Sequence, residues 1–151
     1  MLSPGDHAPS LHLPDIDTGR AVDDPWGEGP VVLAFFKAAC PVCQMTAPVV
    51  RAMAEGGARV VAVGEDPRPT LVAFRDRFDQ RVPTLSEPAP YRVSSAYGLV
   101  TVPTLFLVGG DGVVLDAVGG WDREGWNRVA AAAGGAPVST VGDGLPVFRP
   151  G

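Results

Sequence analysis

Cys40 and Cys43 are the only cysteines in the chain, and two residues separate them. A thiol pair at this spacing can open and close a disulfide. One thiolate attacks a sulfur–sulfur bond, and the neighbouring thiol resolves the mixed disulfide that forms. The surrounding residues favour that use. Val31-Val32-Leu33-Ala34-Phe35-Phe36 is an unbroken apolar run, read as a buried strand. Pro41 follows Cys40 and suits the first position of a helix, where no N–H is needed and φ is already set. Cys40 then stands at a helix start, where unpaired N–H groups and a partial positive charge stabilise a thiolate. Cys43 lies one turn on, more shielded, as a resolving thiol should be.

Other chemistries fit the pair less well. A structural disulfide across so short a loop constrains the unfolded chain little. A structural zinc site needs four ligands. The only histidines, His7 and His12, lie in a loop-like N-terminal segment, so the pair supplies half a site. Two inert buried thiols are the plain alternative, and the helix-opening position argues against it. Redox exchange carries the most weight, with no metal and no cofactor expected.

Composition sets wider bounds. A chain of 151 residues forms one domain with a substantial core. Residues 136–151 hold three prolines and three glycines and read as an irregular C-terminal tail. A net charge of −5 without any basic run disfavours nucleic acid and anionic membranes as partners. No apolar run reaches membrane-spanning length. Met1–Asp6 shows neither a basic n-region nor an apolar h-region. With two cysteines and no disulfide framework, the expected setting is the reducing cytoplasm.

The elements that must hold the cysteines follow from periodicity and punctuation. Ala8–Leu13 alternates weakly as a short edge strand, with a return through Ala21-Val22. The cysteine helix runs from Pro41 to Glu55, interrupted by Pro48 and stopped by Gly56-Gly57. Met45, Val49, Val50 and Met53 form its apolar side. Arg59–Gly64 is a second buried strand. Pro69–Gln80 is an amphipathic helix with Leu71, Val72, Phe74 and Phe78 inward. Val82–Leu85 is a short strand and Tyr91–Tyr97 a short helix. Thr104–Val108 and Val113–Val118 flank Gly109-Gly110-Asp111-Gly112, a strong hairpin signal. Asp122 caps a last helix over residues 123–133. Trp121, Trp126 and Phe148 read as core or tail packing. Strands joined through helices in this order make an α/β protein, with active groups at the carboxyl ends of the parallel strands.

At this point the chain resembles the thioredoxin-fold superfamily. Three features carry the likeness, in order: the CxxC after a buried strand with Pro48 five residues beyond; Val102-Pro103-Thr104 leading into the hairpin; and Gly119-Gly120-Trp121-Asp122 before the last helix. The opening Pro4-Gly5-Asp6-His7-Ala8-Pro9 and Leu13-Pro14-Asp15 is similar to the N-terminal hairpin of redoxins, the AhpC/TSA and TlpA-like groups. Val61–Asp66 is similar to a strand end seen there. The resemblance implies a central mixed sheet with helices on both faces and an N-terminal β-hairpin. It implies Cys40 and Cys43 as catalytic residues. It also implies a cis Pro103 facing them, holding Val102 where a substrate strand can pair. Implied partners are disulfide-containing proteins or small thiols, with a thioredoxin-type reductant as electron source.

The departures narrow the reaction. Thioredoxins place Trp before the first cysteine and a buried Asp six residues before it; here these are Ala39 and Ala34. Lys37 and Glu65 are the nearby charges that could tune the thiols instead, although a strand-end charge is more often simply solvated. Peroxiredoxins carry P-x-x-x-T-x-x-C, and the matching positions here are Leu33 and Lys37. The hydroxyl that helps hold peroxide is absent. Thiol–disulfide exchange therefore ranks first. A thiol peroxidase, with Cys40 peroxidatic and Cys43 resolving, ranks second, and a non-catalytic redox-sensing module third.

Overall fold

A computed structural model describes residues 1–151. Leu13–Pro14 (β1) and Ala21–Val22 (β2) pair antiparallel as a small hairpin. The edge strand expected over Ala8–Leu13 is shortened. Leu11 N–H bonds to Asp23 C=O, and His12 takes a left-handed φ of 48°, which breaks the alternation. A 3₁₀ turn at Pro25–Glu28 then buries Trp26.

Val31–Phe36 (β3) is buried at all six positions. Pro41–Glu55 (α1) has the boundaries read from Pro41 and Gly56-Gly57. Val60–Gly64 (β4) lies parallel to β3, with Phe36 opposite Gly64. Gly64 is required by packing: a Cβ there would collide with the Leu71 δ-carbons and sit 3.0 Å from the Phe36 ring. Arg68–Phe78 (α2) is two residues shorter at its end than expected, because Asp79 turns left-handed at φ 58°. Thr84–Ser86 (β5) is shifted from the expected 82–85. Pro83 has no N–H to give, and only its carbonyl joins the ladder, accepting from Ala62. Arg92–Ala96 (α3) is one turn long.

Thr104–Val108 (β6) and Val114–Gly119 (β7) form the expected hairpin, antiparallel to each other, with β6 also antiparallel to β3. Trp121–Asp122 (β8) leads into Arg123–Ala132 (α4). Asp122 occupies the cap position without its side chain bonding the helix. The tail carries one element unforeseen in the sequence: Phe148–Arg149 (β9) pairs antiparallel with β8. Phe148, read as packing, is exposed there.

The main sheet has the order β5-β4-β3-β6-β7. Side chains alternate between its faces. Val32, Ala34 and Phe36 join Cys43, Ala47 and Met53 of α1, Phe74 of α2, and Trp126 and Val129 of α4. Val31, Leu33 and Phe35 join Trp26, Val93 and Tyr97 on the other face. Trp121 and Trp126 are fully buried and meet edge to face at 5.0 Å. Burial of each such large apolar side chain contributes about 1.5–3 kcal/mol. No helix is long and apolar enough to cross a membrane.

This order decides where the chemistry sits. β3, β4 and β5 run parallel, so Lys37–Cys40, Glu65-Asp66 and Glu87 leave the sheet on the same edge. Because β6 runs opposite to β3, with Phe35 facing Thr104, the segment Val102-Pro103 before β6 arrives at that edge too.

Candidate functional site

Cys40 is the N-cap of α1, in extended backbone geometry at φ −78°, ψ 119°. Its Sγ accepts the Cys43 N–H at 3.3 Å. Its thiol also donates to the Val102 carbonyl at 3.5 Å. That N–H belongs to the first turn of a fifteen-residue helix, one of the groups left without a partner inside the helix. Cys40 is half-buried and Cys43 is 1% exposed; both are free thiols. Burial pushes the Cys43 thiol well above the ordinary cysteine range. The Lys37 main chain opposes this, while Cys40 and the Glu65 charge add to it. The front sulfur and the shielded sulfur expected from the spacing are therefore both present.

Val102-Pro103 is a cis peptide. Pro103 is buried and Val102 half-buried. The Gly120 N–H donates to the Pro103 carbonyl at 2.7 Å, tying the loop to the end of β7.

Lys37 and Glu65 meet each other at this edge. The Lys37 ammonium donates to the Tyr91 hydroxyl at 3.3 Å and to the Glu65 main-chain carbonyl at 3.4 Å. It also stands 5.1 Å from the Tyr91 ring centroid. The bond to Tyr91 raises the Lys37 pKa above the ordinary lysine value. Its charge is thus held beside the site rather than bonded to a sulfur. Glu65 is half-buried, not a freely solvated strand end. Burial raises its carboxyl pKa, Lys37 opposes this, and Glu87 adds to it. The Glu65 charge in turn bears on the Cys43 thiol.

Three further residues position the site. The main chain of Ala38, two residues before Cys40, is held from both sides. Its N–H donates to Asp66 Oδ2 at 2.8 Å, and its carbonyl accepts from Gln44 Nε2 at 2.9 Å. Asp66 is itself fixed, its main-chain carbonyl accepting from Ser86 Oγ at 2.7 Å. Glu87 is buried, 2% exposed, and accepts from Val93 N–H at 2.7 Å and Ser94 N–H at 3.0 Å. It also accepts from the Ser94 hydroxyl. It thereby closes the start of α3, which places Tyr91 over Lys37. Sequence reasoning missed these roles. The available signal was the position of acids directly after two strand ends.

No group of three or more His, Cys, Asp or Glu side chains is arranged to hold a metal ion. None of the surface clefts is lined by Cys40 or Cys43; the nearest, beside Ala38 and Gln44, is formed with α2.

A mixed five-stranded sheet, a thiol pair opening α1 and a cis-proline loop against the first sulfur define a thioredoxin-like fold of the redoxin branch. The chain belongs to the AhpC/TSA family, whose model matches residues 4–117. No curated protein matches it. Among solved structures it is similar to a protein assigned as the thiol:disulfide interchange protein DsbE of Chlorobium tepidum. The two share 25% identity and a TM-score of 0.75 over 88% of this chain and 99% of that one. It is also similar to peroxidoxin BcpB of Mycobacterium tuberculosis, with 27% identity and a TM-score of 0.67 over 88% and 94%. The thioredoxin domain of a thiol-disulfide oxidoreductase from Bacteroides vulgatus, at 18% identity and a TM-score of 0.74 over 88% and 99%, shares the fold.

Proposed function

We propose that this chain is a thiol–disulfide oxidoreductase that exchanges the Cys40–Cys43 dithiol with disulfides of proteins or small thiols. The observation that carries the reading is the setting of Cys40 Sγ. It is half-exposed at a helix N-terminus, with the Cys43 N–H on one side and the Val102 carbonyl on the other. Cys40 thiolate attacks one sulfur of the substrate disulfide, forming a new S–S bond and releasing the other sulfur as thiolate. Cys43 then loses its proton to a base, a role the proposal gives to Glu65. Its thiolate attacks the Cys40 sulfur and displaces the second substrate thiolate. Two electrons pass to the substrate, and the chain is left with a Cys40–Cys43 disulfide.

Cys40 is half-exposed and lines none of the clefts, which suits a disulfide carried on a polypeptide. Electrons to reset the pair would come from another dithiol, such as a thioredoxin-type reductant, in a cytoplasmic setting. Insulin reduction tests the reading: the native chain accelerates it in the presence of dithiothreitol, and Cys40→Ser abolishes the acceleration. Full activity in Cys40→Ser would sink the proposal.

The likeness to a peroxidoxin favours a second reading. Cys40 thiolate would attack a peroxide oxygen, releasing the alcohol or water and leaving a sulfenic acid. Cys43 would condense with it, forming the disulfide and water. Lys37 stands where a peroxide-binding hydroxyl would be, and its ammonium is engaged by Tyr91 and the Glu65 carbonyl. Stopped-flow oxidation by hydrogen peroxide separates the readings: slow consumption is expected, and rapid consumption at micromolar peroxide would reverse their order.

A further inference from the structure

We propose that Phe148–Gly151 is an intramolecular strap lying over the strip beside Val102 where a polypeptide substrate would sit, so that protein disulfides must displace it while small disulfides need not. The proposal rests on the thiol-exchange reading for the meaning of that strip.

The path of the tail is specific. Arg123, 9% exposed, clasps it to α4: Nε donates to Ser139 Oγ at 2.9 Å, and Nη2 donates to the Leu145 carbonyl at 2.7 Å. Trp121 Nε1 donates to the Pro146 carbonyl at 2.7 Å, and the Arg123 N–H donates to the Val147 carbonyl at 3.0 Å. β9 then pairs with β8, Trp121 opposite Arg149. From there the segment crosses to the cysteine helix. Arg149 Nη1 approaches Met45 Sδ at 3.8 Å, two residues beyond Cys43. Gly151 lies against the cis-proline loop: a side chain on it would collide with the Val102 carbonyl oxygen and Thr101 Oγ1. That carbonyl is the one Cys40 faces at 3.5 Å. Gly120, at φ +71°, leaves the passage open. A Cβ there would stand 3.1 Å from the Arg149 carbonyl and 3.3 Å from Pro150 Cα.

An extended substrate would gain affinity by laying its backbone along this same strip. The strap and such a substrate exclude each other. Yet the strap is weakly held at its tip. Phe148–Gly151 is exposed throughout and β9 has only two paired residues, so it belongs to the low-stability part of the fold. The family match ends at residue 117, so this device lies outside the pattern shared by the family.

The test compares the full chain with a deletion of Phe148–Gly151 and with full-length Arg149→Ala. Circular dichroism melts first establish that each variant folds. A competent fraction of about a tenth in the full chain predicts that the deletion speeds insulin reduction about tenfold, and Arg149→Ala less. Reduction of a small aromatic disulfide should change less than about twofold in the same proteins. Alkylation of Cys40 gives an independent reading. A polyethylene glycol maleimide should label the deletion about tenfold faster than the full chain, and iodoacetamide should label both alike. Equal rates in all proteins for the large reagents would overturn the strap. A deletion that unfolds is replaced by Arg149→Ala, whose unchanged rates would overturn it equally. If the maleimide discriminates but no protein reduces any disulfide, the strap stands and the exchange reading falls.

Discussion

Asp66→Ala is the sharpest test of how the cysteine loop is held. Asp66 Oδ2 takes the Ala38 N–H at 2.8 Å, and Gln44 takes the carbonyl of the same residue at 2.9 Å. A hydrogen bond to a charged group contributes about 1.5–3 kcal/mol, and this half-buried one belongs at the lower end, about 1.5–2 kcal/mol. For a chain of this length each kcal/mol moves Tm by about 2–4 °C, so the variant should melt roughly 3–8 °C lower. The functional loss should be larger than the stability loss implies. Freed on one side, the loop can carry Cys40 off the line between the α1 N-terminus and Val102. A displacement of about 1 Å at a reacting atom costs up to about a hundredfold, so a fall of about tenfold in kcat/KM for insulin reduction is expected. Gln44→Ala should act in the same direction. Because both bonds grip the main chain of one residue, the double variant should show a coupling of about 0.5–1.5 kcal/mol. An Asp66→Ala protein melting within about 1 °C of native, with full activity, would refute the reasoning.

Further outcomes follow from the same geometry. Glu65→Gln removes the proposed base and should slow resolution of the mixed disulfide about a hundredfold, read by quenched-flow and mass spectrometry. Glu65 has a raised carboxyl pKa in the fold, so its contribution to stability is present below the unfolded value and lost as pH rises through the folded value. The same variant should therefore melt higher than native at neutral pH; a lower melt would contradict the burial that explains the raised pKa. Cys43 is buried with its thiol pushed up, so iodoacetamide at neutral pH should label Cys40 alone in the native state and both cysteines in urea. Asp143 has its carboxyl pulled down to about 2 by the Ser139 hydroxyl and the Leu145 and Thr140 N–H groups. The tail clasp should thus persist above the ordinary carboxyl range and loosen as pH falls toward 2, seen as loss of protection of the Thr140 and Leu145 amides that Asp143 accepts.

What could be read from the sequence was whatever local punctuation decides. Pro41 and Gly56-Gly57 set both ends of α1, and Gly109–Gly112 set the β6–β7 hairpin. The position of Val102-Pro103 against Cys40 came from family resemblance, since no local pattern links residues so distant in the chain. What could not be read depends on tertiary meeting. Asp66 and Gln44 grip Ala38 only because β3 and β4 end side by side, and Glu87 caps α3 across the loop of residues 88–91. β9 has two residues, both exposed, flanked by Pro146 and Pro150, and carries no strand signal of its own. Its pairing exists because β8 offers a free edge. The carboxylate missing at Ala34 proved informative in a similar way: with an alanine inside the sheet, the acid nearest in effect to Cys43 comes from the end of β4 instead.

The claim on which the account depends is the division of labour between the two sulfurs. Incubating Cys43→Ser and Cys40→Ser separately with a protein disulfide, then measuring intact mass without reductant, tests it directly. The account predicts a stable one-to-one mixed disulfide on Cys40 in the first protein and none in the second. An adduct forming on Cys43 in the second protein at a comparable rate would contradict it.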